Sequence, residues 1–87
     1  MKKAITATLI NGFTFLVDFG PESKIDEWIQ HYGNKAVSVD AHNMNKRFCA
    51  AEMKYDNAAY DLFGSTSFAA LATKEKLSVC EYVGELM

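Results

Sequence analysis

Proline appears once in this 87-residue chain, at Pro21, and cysteine twice, at Cys49 and Cys80. So little proline excludes a linker-rich or polyproline protein. Two thiols without CxxC spacing are too few for a secreted disulfide framework. They are expected free and reduced, in a cytoplasmic protein, with one long-range disulfide as the alternative. Excess charge is also missing. The net is −2 and the isoelectric point about 5.6, so the broad basic field of most nucleic-acid binders is absent. No apolar run approaches the ~18 residues of a membrane span, and no membrane association is expected. Met1-Lys2-Lys3 before residues 4–10 imitates a signal peptide. Asn11-Gly12 interrupts the apolar run, however, and no small-x-small cleavage site precedes Asp18.

What is present is globular. Hydrophobic residues make up 49% and charged residues 23%, which places the chain among folded domains. The length allows one domain spanning residues 1–87. Size scaling gives burial of roughly 64% of the unfolded surface, enough for independent folding with a small margin.

Residues 3–10 and 13–19 are rich in β-branched and aromatic side chains around Asn11-Gly12, a strong hairpin signal. A three-residue loop, Ile10-Asn11-Gly12 with Gly12 left-handed, pairs Leu9 with Phe13, Ala7 with Phe15 and Ile5 with Val17. That register puts every large apolar group except Leu16 on one face, and Thr6, Thr8, Thr14 and Asp18 on the other. A two-residue turn would split the apolar set, so burial selects the longer loop. Pro21 then opens a helix, with Ile25, Trp28, Ile29 and Tyr32 at core spacing and Gly33 ending it. Trp28 and Ile29 are expected to pack on the hairpin. Residues 36–41 alternate as a short strand.

Met44, Phe48, Ala51 and Tyr55 are spaced for a helix, although residues 47–55 also alternate; the helix is the expectation. Asp56 or Asn57 can cap a short continuation to Phe63, ended by Gly64, and further turns are expected around Phe68. Residues 77–83 are expected to form a last strand. The expected architecture is α+β in the order ββαβααβ, a small antiparallel or mixed sheet with helices on one face.

Catalytic signals are thin. Cys49 with His42 is the one thiol–base pair close in sequence, but Cys49 lies between Phe48 and Ala50, where thiols pack and stay inert. His31, His42, Cys49 and Cys80 do not form a metal-ligand cluster by spacing, and no cofactor motif stands out. Gly64-Ser65-Thr66-Ser67 lacks the Gly-Lys-Ser/Thr of a phosphate loop. Lys46, Arg47 and Lys54 beside Phe48 and Tyr55 form a small basic-aromatic patch, offset by Asp40 and Glu52.

Aromatic surface beside acid is left. Tyr55-Asp56 and Tyr60-Asp61 repeat within the more acidic part of the chain, where residues 56–87 hold five acids against Lys74 and Lys76. Tyr offers contact area at low entropic cost and Asp accepts Arg in two-point contact, so Tyr55, Asp56, Tyr60 and Asp61 are the expected partner-binding residues. The equally plain alternative is that the tyrosines cover the core. The expectation is a non-enzymatic inhibitor or regulator that occupies a basic partner protein's surface. Its size and composition resemble those of the small antagonists of host defence that bacteriophages and mobile elements encode. A nucleic-acid-associated regulator using Lys46, Arg47 and Lys54 is the alternative, and a thiol-dependent enzyme using Cys49 is a second. A homo-oligomer is also compatible with the composition.

Overall fold

The structure, a computed structural model, describes residues 1–83. Strands β1 (Lys3–Leu9) and β2 (Thr14–Gly20) form the hairpin, followed by helix α1 (Lys24–Tyr32) and a 3-10 turn at Gly33–Lys35. Strand β3 (Ala36–Asn43), helix α2 (Lys46–Phe63), a 3-10 turn at Phe68–Ala70 and helix α3 (Thr73–Val83) complete the chain. The sheet is antiparallel in the order β2-β1-β3. The fold is α+β, as the pattern of elements implies.

The hairpin loop matches the burial argument. Leu9 N–H donates to the Phe13 carbonyl at 2.8 Å, Gly12 N–H donates to the Leu9 carbonyl at 2.9 Å, and Gly12 sits at φ 90°. Ala7 pairs with Phe15 and Thr8 with Thr14. Further along, the register shifts: Thr6 faces Leu16 while Ile5 faces Asp18. Val17 is thus an extra residue on β2. A bulge exchanges the faces of everything beyond it, so Asp18 joins the face of Ile5 instead of the solvated threonine face expected for it. Asp18 and Leu16 are both buried.

Four further expectations differ. Ala4, Ile5, Thr6 and Ala7 are all buried, so the central strand needs cover on both faces and the helices cannot share one. Trp28 of α1 reaches Asp18 on one face, while Tyr55 of α2 stacks edge-on against Phe19 on the other. Residues 77–83, expected as a strand, belong to α3. Lys76, Val79 and Cys80 are its buried residues, at helical spacing, and the Glu75 carboxylate accepts from Ala72 N–H at the start. A lysine on the inward stripe hid that periodicity. In α1, Trp28 is buried but Ile29 is 49% exposed, because Ile25, Trp28 and Tyr32 already define the inward stripe. Helix α2 runs unbroken from Lys46 to Phe63 and has no second start at Asp56 or Asn57. Asn45 caps it through a 2.8 Å bond from Phe48 N–H to its side-chain oxygen. Gly64, left-handed at φ 67°, ends it by donating to the Tyr60 carbonyl.

A buried charge network joins these layers. The Asp18 carboxylate accepts from Trp28 Nε1 at 2.9 Å, from its neighbour Phe19 N–H at 2.8 Å, and from Lys76 Nζ at 2.9 and 3.1 Å. Lys76 is 4% exposed, with its ammonium 5.6 Å from the centre of the Phe68 ring. Both ions are paired and hydrogen-bonded, the condition under which buried charge is tolerated. Removing one partner strands the other. Asp18→Ala is therefore expected to lower stability by about 3–5 kcal/mol in urea titration, and Asp18→Ala/Lys76→Met by much less than the sum of its single variants. Single variants that each cost under about 1 kcal/mol would contradict this account.

Candidate functional site

The repeated Tyr-Asp pair lies on one helix, and helical geometry separates its two copies. Five residues turn an α-helix through about 500°, which leaves the second copy some 140° away from the first. Phe48, Ala51, Tyr55, Ala58 and Ala59 form the buried stripe of α2. Tyr55 is fully enclosed: its ring packs edge-on against Phe19 and Phe68, and its hydroxyl donates to the Leu16 carbonyl at 2.7 Å. Tyr55 is a core residue and cannot meet a partner in the folded chain, which corrects the expectation for it. Asp56 is half-buried and accepts from Phe68 N–H at 2.9 Å, tying the 3-10 turn to α2. Its carboxylate is engaged in structure.

The second copy faces outward. Tyr60 is 63% exposed, Asp61 is exposed, and Leu62 and Phe63 are each about two-fifths exposed in the same last turn. Met53 and Asn57, also exposed, fall seven and three residues before Tyr60, so they continue its stripe along the helix. Helical geometry sets Phe63 about 60° from Tyr60 and Asp61 about 100° to its other side, whereas Leu62 continues the inward stripe of Ala58 and Ala59, so the outward surface is Tyr60 and Phe63 with the Asp61 carboxylate beside them. The buried alanines at 58 and 59 and the glycine stop at Gly64 hold the backbone beneath it. Burial of large apolar side chains at helix ends is the usual outcome, so this cluster in water is the informative observation.

The other candidates are placed apart. Lys46, Arg47 and Lys54 are exposed on the first half of α2; helical geometry puts Arg47 and Lys54, seven residues apart, on one side and turns Lys46 away. Glu52 on the same helix is paired with Lys2 at 2.8 Å. Cys49 is exposed. His42 is engaged elsewhere: Nε2 lies 2.8 Å from Thr6 Oγ1, and the ring rests against Phe48. Among the described residues no hydrogen bond joins His42 to Cys49, and no group of three or more His, Cys, Asp or Glu side chains is arranged to hold a metal ion. No helix among them is long and apolar enough to cross a membrane.

Sequence reasoning missed a groove of about 400 Å³ between β1, β2, α1 and α3, lined by Leu9, Phe15, Val17, Tyr32, Leu77 and Cys80. It arises because α3 is a helix, a periodicity that the lysine on its inward stripe concealed. Burial pushes the Tyr32 hydroxyl up to about 12. Burial likewise pushes the Cys80 thiol up to about 12, with a Tyr55 hydrogen bond opposing part of the rise. Cys80 donates to the Leu16 carbonyl at 3.3 Å and stays a neutral thiol. The two cysteines are free in the structure.

These environments predict unequal thiol chemistry. At pH 8 a disulfide reagent should modify Cys49 rapidly and Cys80 only after unfolding. Because the unfolded Cys80 thiol ionises near 9 and the folded one near 12, its contribution to stability is complete below pH 9 and is lost as pH rises from 9 towards 12. Equal labelling of both thiols in the folded chain would contradict the buried placement. Comparison of the chain with protein-family models, with curated proteins and with solved structures finds no match in any of the three.

Proposed function

We propose that this chain is a non-enzymatic protein-binding module, an inhibitor or regulator that acts by occupying a basic surface on its partner. The observation that carries this reading is the exposed last turn of α2, where Tyr60 and Phe63 stand in water beside Asp61. Aromatic anchors at a rigid helix end lose little entropy on docking, and a neighbouring carboxylate can take an arginine in two-point contact. By size and composition the domain suits the small host-defence antagonists that mobile elements encode.

Wild type and Tyr60→Ala/Asp61→Lys, matched for melting temperature, are to be immobilised and exposed to a native lysate. A basic protein retained by wild type is then measured against both. Tyr60→Ala is expected to raise the dissociation rate about 30-fold, the equivalent of a ~2 kcal/mol hot spot. Asp61→Lys should also slow association, and more so at low salt. A folded double variant that binds as tightly as wild type overturns this surface. Binding to DNA or RNA with a steep salt slope, abolished by substituting Lys46, Arg47 and Lys54, would favour the nucleic-acid reading instead.

A further inference from the structure

The groove between the hairpin, α1 and α3 has the build of a small-molecule site. It holds about 400 Å³, near the lower end of the volumes that ligand cavities occupy. Val17 and Cys80 are buried and form its floor. Phe15 of β2, Tyr32 of α1 and Leu77 of α3 are partly exposed and form its walls. The Cys80 thiol is already committed to the Leu16 carbonyl, so the floor offers a ligand apolar contact alone. No lining residue belongs to α2, and the groove is therefore separate from the surface at Tyr60.

Two polar groups meet at its mouth. Glu81 follows Leu77 by one turn of α3, which sets it on the groove side, and its exposure puts the carboxylate at the opening. It is the one charged side chain in the lining. The Tyr32 hydroxyl is pushed up to about 12 by burial first, then by Cys80 and by the Glu81 carboxylate, which is thus within electrostatic reach of it. Among the described residues, no hydrogen bond or ion pair engages either the Tyr32 hydroxyl or the Glu81 carboxylate.

We propose that the groove binds a small arylalkyl amine, with its ring against Phe15, Val17 and Leu77 and its ammonium on Glu81. Charge complementarity selects this class. An anion of the same shape meets the Glu81 carboxylate and is repelled. A neutral hydrocarbon covers the Tyr32 hydroxyl without giving it a partner, which costs free energy. An ammonium donates to the Glu81 carboxylate and to the Tyr32 oxygen together, and the aromatic faces of Phe15 and Tyr32 attract a cation as well. The volume admits one ring with a short chain and excludes larger ligands.

Phenylpropylamine, phenylpropanol and phenylpropionate share one body and differ in charge, and each is to be titrated into the full chain at pH 7 while amide resonances are followed. The amine is expected to bind with a dissociation constant on the order of 100 μM, shifting the amides of Val17, Tyr32 and Cys80 and not those of residues 60–63. Phenylpropionate should bind at least about tenfold more weakly. Glu81→Gln, at an exposed position that leaves the fold intact, should weaken the amine about fivefold and erase its advantage over the alcohol. Tyr32→Phe should weaken it by about threefold or more. An amine that does not bind, that binds no better than the alcohol, or that is indifferent to Glu81→Gln overturns the inference. Shifts of the groove amides that follow protein concentration alone would assign the groove to a second copy of the chain and overturn it equally.

Discussion

The buried carboxylate of Asp18 organises the rest of the molecule. It sits on the central layer of the fold and receives donors from three directions: the Trp28 indole from α1, the Lys76 ammonium from α3, and the adjacent Phe19 backbone. An ion pair in this setting need not add net stability over a well-packed apolar substitute. What it does is restrict the alternatives. With Asp18 inside, α1 and α3 must present Trp28 and Lys76 to one point, and any other docking of either helix leaves a charge unpaired in the interior. The cation over Phe68 extends the same constraint to the turn before α3. Asp18 reaches that position because Val17 bulges from β2, so a one-residue irregularity in a strand sets where two helices pack.

Edges and faces follow from the same bulge. Beyond it, Phe19 turns to the opposite face from Asp18 and meets Tyr55 and Phe68 in edge-on contacts. At the bulge, the freed Leu16 carbonyl is satisfied by a tyrosine hydroxyl and a cysteine thiol brought from α2 and α3. Two of the expected partner-binding residues, Tyr55 and Asp56, are thereby occupied in holding backbone groups, as is the Cys80 thiol. Tyr60, Asp61 and Phe63 are left over at the end of α2. The outward surfaces are what the interior did not use.

Local chemistry alone determined several features. Asn11-Gly12 and the apolar alternation around it dictated the hairpin and its loop, because only a glycine tolerates φ 90° there at little cost and only one register gathers the apolar set. Trp28 at helical spacing with Ile25 and Tyr32 announced the first helix, and Gly33 and Gly64 marked two helix ends. The Tyr-Asp repeat held its own answer as well: a spacing of five in a helix turns one copy inward and the other outward. Tertiary structure decided the remainder. Whether residues 77–83 form a strand or a helix depended on Lys76 being inside, and a lysine goes inside only where a buried carboxylate awaits it. Asp18 was that carboxylate only after Val17 bulged, and both faces of β1 needed cover only once the strand lay in the middle of the sheet. Each of these outcomes rests on a partner dozens of residues away, and propensity and periodicity, which act over a few residues, carry no information about it.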